Sequence, residues 1–158
     1  MKNEELLVSA KALLEMQPNR IALLSNASAF IFDTFENLNW AGFYLLYDQK
    51  LTVGPFQGHV ACSIIPLGHG VCGRAAVSRK TIVVDDVLSD TNHIACDANS
   101  RSEVVIPIVI NDKLFGVEAL VRWHSAKLGV IPPDQFIPIA EDTGLMPKLG
   151  LYIMHKAM

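Results

Sequence analysis

The order of the apolar patterns along the chain constrains its fold most strongly. Two segments with helical periodicity come first, over residues 3–16 and 21–35. Two pairs of extended apolar segments follow, with short polar turns at 48–50 and 111–112. Helical patterns return after residue 131. Helices followed by hairpins and then by helices predict an α+β fold with an antiparallel sheet.

Composition limits the class of protein. The chain has 158 residues, of which 51% are apolar and 18% charged, so we expect residues 1–158 to form a single folded domain. The net charge of -3, without a basic run, argues against a nucleic-acid or anionic-membrane partner. No apolar run approaches the ~20 residues needed to span a bilayer. The N-terminus lacks a signal-peptide core, which predicts a cytoplasmic protein.

The extended segments are predicted as short strands, and a short helix carrying Cys72 follows Gly68-His69-Gly70. A polar loop over residues 85–99 holds Cys96. The strands are expected at 38–47, 51–57, 62–65, 81–84, 103–110 and 113–122. The terminal helices are expected to begin at Pro132-Pro133 and at Pro147.

The three cysteines are the main candidates for chemistry. They stand at positions 62, 72 and 96, so no two form a CxxC pair, and no histidine spacing completes a zinc site. We therefore expect neither metal nor cofactor. Cys96 is the candidate nucleophile because its loop is polar, and Cys62 or Cys72 would resolve its sulfenic acid as a disulfide. The alternative is that all three are partly buried structural thiols.

Five motifs occur in an order typical of one enzyme family. They are Asn39-Trp40-Ala41-Gly42-Phe43-Tyr44-Leu45-Leu46, then 54–58, 61–62, 66–73 and 93–103. Together they resemble the free methionine-R-sulfoxide reductases, which are GAF-domain enzymes, over about residues 20–117. The resemblance implies a GAF-like central antiparallel sheet with flanking helices. It also implies that a cysteine attacks the sulfoxide sulfur, a second cysteine forms a disulfide, and thioredoxin reduces it.

The same resemblance assigns roles to individual residues. Cys96 corresponds to the usual nucleophile and Cys62 to its resolving partner. Cys72 corresponds to a third cysteine with a catalytic or alternative resolving role. Homodimers are common in that family, so a homodimer is an expected assembly.

Three further residues correspond to the family's binding site for free methionine-R-sulfoxide. Trp40 and Tyr44 match aromatic residues that line the methionine pocket, and Glu103 matches a carboxylate that binds and polarises the substrate. An ammonium group favours a carboxylate, a methylsulfinyl group favours an aromatic wall, and the leaving oxygen needs a proton. The alternative is ordinary strand packing for the two aromatics and a solvated strand end for Glu103.

The resemblance to the reductases ends at Gly116-Val117. There the family continues with Leu-Asp-Ile-Asp, and its two aspartates belong to the substrate site. The corresponding residues are Ala119 and Val121, while the nearby carboxylate, Glu118, is offset by one position. A one-residue offset in a strand points a side chain to the opposite face, so Glu118 is not expected to replace them.

The tract after this point resembles a different family. Residues 118–124 and 128–145 are similar to the EAL domain of cyclic-di-GMP phosphodiesterases, and the similarity runs from about residue 116 to residue 158. Such a domain is a complete barrel, which cannot close with about 40 residues. We therefore interpret the chain as a chimera: residues 1–117 are reductase-like, and residues 118–158 complete the last strand and supply terminal helices.

Two functional hypotheses follow. The first is a thiol-dependent oxidoreductase that reduces free methionine-R-sulfoxide, with activity impaired by the loss of the two aspartates. The second is a folded chimera without catalysis, or a GAF module that binds a small ligand without turnover. Neither includes cyclic-di-GMP phosphodiesterase activity, because Glu118 alone cannot hold the two metals of such a site.

Overall fold

The computed structural model describes residues 3–122 of the chain. Its three helices are α1 (Asn3–Glu15), α2 (Arg20–Thr34) and α3 (Gly70–Ser78). Its six strands are β1 (Leu38–Tyr47), β2 (Lys50–Gly58), β3 (Ile64–Pro66), β4 (Ile82–Val84), β5 (Ser102–Ile110) and β6 (Lys113–Arg122). The terminal helices predicted at Pro132-Pro133 and Pro147 lie outside the described residues.

The strands form one antiparallel sheet with the order β3-β2-β1-β6-β5-β4. Two tight turns create its hairpins. Asp48 and Gln49 join β1 to β2, and Asn111 and Asp112 join β5 to β6, all four with positive φ. Such pairs of left-handed residues match the twist of antiparallel strands. The predicted α+β class with an antiparallel sheet is confirmed.

Local signals explain where the second helix begins and where the third strand starts. The side chain of Asn19 accepts a hydrogen bond from the backbone N–H of Ala22 at 2.9 Å and so caps the N-terminus of α2. The predicted strand at 62–65 is shifted to Ile64–Pro66, where pairing with β2 begins. Cys62 therefore lies in the loop between β2 and β3. No helix within residues 3–122 is long and apolar enough to cross a membrane.

The two faces of the sheet carry separate cores, because successive strand residues point to opposite faces. On one face, α1 and α2 pack against Phe43 of β1, Ile106 of β5 and Leu120 of β6. On the other face, α3 packs near Tyr44, Val105 and Ala119. We call the first the helix-side core and the second the loop-side core. The cysteines belong to the loop side.

Strand β6 lies at the centre of the sheet, between β1 and β5, and crosses the point where the two family resemblances meet. Gly116 approaches β1 closely: a Cβ atom there would lie 2.2 Å from the carbonyl oxygen of Tyr44. Glycine is therefore required at this position, and the strand continues through Val117, Glu118 and Ala119 without a break in pairing.

Candidate functional site

A disulfide joins the two loops that the sequence singled out. Cys62 lies between β2 and β3, Cys96 lies in the loop between β4 and β5, and the two are bonded with their Cα atoms 5.1 Å apart. Both residues are half-buried, and both adjoin the loop-side core. Of the two resolving thiols considered for Cys96, the structure therefore bonds Cys62, and Cys72 is a free, buried thiol.

Cys72 contacts the carboxylate that was predicted to bind substrate. It lies in the first turn of α3, and its Sγ donates a hydrogen bond to Oε1 of Glu103, at the start of β5, across 3.5 Å. Burial raises the pKa of Glu103 to about 7, although the hydrogen bond from Cys72 acts in the opposite direction. Burial and the nearby carboxylate also raise the pKa of Cys72, so this thiol is protonated at neutral pH.

His93 approaches the other oxygen of Glu103. Its Nδ1 lies 3.7 Å from Glu103 Oε2, which is too long for a direct hydrogen bond, and no other residue within 3–122 pairs with that nitrogen. Burial lowers the pKa of His93. A neutral imidazole and a carboxyl group that titrates near neutrality therefore lie side by side. Such a pair can exchange a proton with a bound molecule.

Aromatic rings form one wall of the site. Trp40 stacks on Tyr44 with ring centroids 5.7 Å apart and on Phe56 at 5.3 Å. The Tyr44 hydroxyl donates a hydrogen bond to the carbonyl oxygen of Cys62 at 2.9 Å. Trp40 and Tyr44 are both 3% exposed, so they serve strand packing and pocket lining together. The two alternatives considered for these residues are compatible.

These groups surround one cleft of about 500 Å³, a volume that includes its solvent-open mouth. Every residue that the sequence proposed for the site except Cys62 lines this cleft. Its lining is Trp40, Tyr44, Val60, Ala61, Ile65, Gly70, Val71, Cys72, His93, Ile94, Cys96, Asp97, Ser100, Glu103 and Ala119; Cys62 reaches it through its bond to Cys96. Within residues 3–122, no three His, Cys, Asp or Glu side chains converge as metal ligands.

The sequence assigned no role to two cleft residues, His93 and Asp97. Both belong to the motif at 93–103 that carries Cys96, and this proximity was the available signal. Their contacts depend on how the loop between β4 and β5 folds back over the sheet. The sequence of the loop has no periodic pattern from which its path over the sheet could be predicted.

The carboxylate of Glu118 is not in the cleft. Ala119 lines the cleft and pairs with Gly42 on β1 and Val105 on β5, whereas Glu118 pairs with Phe43 and Ile106, which belong to the helix-side core. The predicted change of face is confirmed. Glu118 is 1% exposed, neither carboxyl oxygen has a hydrogen-bond partner within residues 3–122, and burial raises its pKa to about 7.

Similarity to known proteins agrees with this geometry. The family model of the GAF domain matches residues 24–128. The free methionine-R-sulfoxide reductase of Saccharomyces cerevisiae is 46% identical over 122 residues, which cover 72% of this chain and 68% of the yeast protein. The chain belongs to the free methionine-R-sulfoxide reductase family of GAF-domain proteins. The Escherichia coli member is 45% identical over 106 residues, covering 67% of this chain and 64% of the relative.

A solved structure shows the same fold in this reductase family. The free methionine-R-sulfoxide reductase from Neisseria meningitidis, in complex with its substrate, is 31% identical with a TM-score of 0.83, covering 98% of this chain and 87% of that chain. The aligned part spans slightly less than two thirds of the Escherichia coli relative. A family model of the EAL domain also matches, over residues 101–158, and overlaps the GAF match at 101–128.

Proposed function

We propose that this chain reduces free methionine-R-sulfoxide, with Cys96 as the nucleophile and Cys62 as the resolving thiol. The observation that carries the proposal is the Cys62–Cys96 bond at the edge of a cleft that also contains Glu103 and an aromatic wall. Relatives with this fold bear the name of that activity. A thiol pair beside a proton donor suits reduction of a sulfoxide.

The proposed reaction has two steps at the cysteines, followed by reduction of the disulfide. The thiolate of Cys96 attacks the sulfoxide sulfur and forms a sulfur–sulfur bond. That bond and the sulfur–oxygen bond of the substrate then break as the oxygen passes to the Cys96 sulfur, so Cys96 becomes a sulfenic acid and methionine leaves. Glu103, with its pKa of about 7, supplies the proton that the oxygen needs. Cys62 then attacks the Cys96 sulfur and releases water. We propose that a dithiol reductant such as thioredoxin returns the disulfide to two thiols, and that the protein works in a reducing compartment such as the cytoplasm.

The remaining predicted residues contribute through binding and orientation. Trp40 and Tyr44 offer the aromatic surface that a methylsulfinyl group favours. Cys72 belongs to the same site through its hydrogen bond to Glu103. Ala119 gives the amino-acid ammonium no counter-charge, so we expect turnover well below that of a complete family member.

One observation favours a second function. Ala119 is an apolar residue in the cleft, where the family places a carboxylate, so the same cleft suits a GAF module that binds a small ligand without turnover. We also propose that residues 1–158 form one domain in which residues 118–158 complete the last strand and supply terminal helices, and that the chain assembles as a homodimer. The continuous pairing of β6 supports the first of these points.

Replacing Cys96 with serine is expected to abolish reduction of free methionine-R-sulfoxide, because the hydroxyl of serine is not ionised and cannot form the disulfide. Oxidation of NADPH, coupled through thioredoxin and its reductase, measures the turnover. The S epimer of the substrate is the matched control and should give no signal with the unchanged protein. Equal rates for Cys96→Ser and the unchanged protein would contradict the proposed reaction, and binding of the substrate without turnover would support the second function.

A further inference from the structure

Asp97, the residue after Cys96, is the centre of a hydrogen-bond network. Its Oδ1 accepts from the backbone N–H of Asn99 at 2.9 Å. Its Oδ2 accepts from Asn39 Nδ2 at 2.8 Å and from His59 Nδ1 at 3.0 Å. The Asp97 side chain is 13% exposed, so this carboxylate is held largely away from water.

The partners of Asp97 belong to different segments of the fold. Asn39 lies on β1 and is 5% exposed, and its amide also reaches Ser100 Oγ at 3.4 Å. His59 lies in the segment that leads from β2 to Cys62. Asp97 thus joins the loop that carries Cys96 both to the sheet and to the segment that carries Cys62. These bonds do not include either sulfur, so reduction of the disulfide removes none of their donors or acceptors.

The two side chains that donate to Asp97 Oδ2, Asn39 and His59, contribute unequally to holding the carboxylate in place. The His59 side chain is 59% exposed, and a hydrogen bond at such an exposed site contributes little to stability. Asn39 is buried, and a hydrogen bond to a charged group is stronger than one between neutral groups. Burial alone would raise the pKa of Asp97, but the hydrogen bonds from Asn99, Asn39 and His59 outweigh it and lower the pKa. Asp97 is therefore an anion at neutral pH.

We propose that Asp97 is a positioning residue that keeps Cys96 beside Cys62 in the dithiol protein, with Asn39 and His59 as its anchors. The proposal rests on the proposed reductase, in which the Cys62 thiolate attacks the sulfenic acid of Cys96. In that step the sulfur–sulfur bond forms, the sulfur–oxygen bond of the sulfenic acid breaks, and hydroxide leaves and is protonated to water. Holding the second thiol close raises its effective concentration and shortens the life of the oxidisable sulfenic acid.

The test uses the equilibrium between the disulfide and glutathione. Two glutathione thiols reduce the Cys62–Cys96 bond and give the dithiol protein and one glutathione disulfide, so the equilibrium constant reports how effectively the fold brings the two thiols together. We expect His59→Ala to favour the dithiol by about threefold. We expect Asp97→Ala to favour it by about tenfold.

Two further variants separate positioning from general loss of structure. His59→Asn should restore the equilibrium, because the asparagine amide nitrogen takes the place of the imidazole Nδ1 and donates to Asp97. His69→Ala is the matched control: His69 is exposed, and its side chain makes no capping hydrogen bond to α3, so no change is expected.

The outcome is decisive even where Asp97→Ala fails to fold, because His59 is exposed and His59→Ala should fold normally. An unchanged equilibrium constant in folded His59→Ala would overturn the proposal, and so would an equal loss in His59→Asn. The glutathione equilibrium involves no sulfoxide. Its result therefore stands even where the protein fails to reduce methionine-R-sulfoxide.

Discussion

Replacing Glu118 with leucine is expected to raise the free energy of unfolding by about 3 kcal/mol at pH 8. Glu118 is 1% exposed among the apolar side chains of the helix-side core, and neither carboxyl oxygen has a hydrogen-bond partner within residues 3–122. A charge in such a place loses its hydration without compensation. Leucine has a similar size and fits between Phe43 and Ile106, the strand neighbours of Glu118.

The effect of Glu118 on stability depends on pH, and its sign follows from the direction of the pKa shift. Burial raises the pKa of Glu118 from 4.5 to about 7, so the folded protein binds more protons than the unfolded chain between these values. The unchanged protein should therefore lose stability as pH rises from about 4.5 to about 7. Glu103 contributes in the same direction, because its pKa is also about 7.

Comparison between variants isolates the contribution of Glu118. The advantage of Glu118→Leu should shrink by about 2 kcal/mol between pH 8 and pH 5, where Glu118 of the unchanged protein is protonated. Glu118→Gln should flatten the pH dependence equally but gain less stability, since its amide stays buried without a partner. Glu36→Gln, at an exposed glutamate, should change neither the stability nor its dependence on pH. Urea unfolding at several pH values measures all three, and a Glu118→Leu protein no more stable at pH 8 would contradict the argument.

The position of Glu118 shows what a strand pattern can predict. The alternation of faces along a strand has a period of two, so the opposite orientations of Glu118 and Ala119 followed from one residue of offset. The polar residues at 48–50 and 111–112 likewise predicted tight turns, and Asp48, Gln49, Asn111 and Asp112 adopt positive φ in the structure. Local chemistry decides such features, so the sequence alone was sufficient to predict them.

Contacts between distant segments were beyond such patterns. The hydrogen bond between Cys72 and Glu103 requires α3 to pack beside β5, and the bond from Asn39 to Asp97 joins residues that are 58 positions apart in the sequence. The sequence around one residue of each pair contains no signal that identifies its partner. The choice of Cys62 rather than Cys72 as the partner of Cys96 is of the same kind: the residues alone left both open, and family resemblance supplied the pairing that the structure contains.

Introducing aspartate at Ala119 is expected to raise kcat/KM for free methionine-R-sulfoxide by about 100-fold. Ala119 has a small side chain and lines the cleft, so a carboxylate added at this position belongs to the cleft lining. An ammonium group that loses water on binding needs a counter-charge, and a desolvated charged contact contributes about 2–5 kcal/mol. Because 1.4 kcal/mol corresponds to a factor of ten, a contribution of about 2.8 kcal/mol, which lies within that range, produces the expected gain.

The matched control for this variant is Ala119→Asn, which adds nearly the same volume without the charge. Only the aspartate should lower KM, and adding Val121→Asp should increase the gain, because residue 121 pairs with both Trp40 and Glu103 in the sheet register. A second carboxylate near Glu103 costs stability through repulsion between like charges, so each protein must first show a cooperative melt. Equal activity of the aspartate and asparagine variants, with both folded, would show that the missing charge does not limit the proposed reaction.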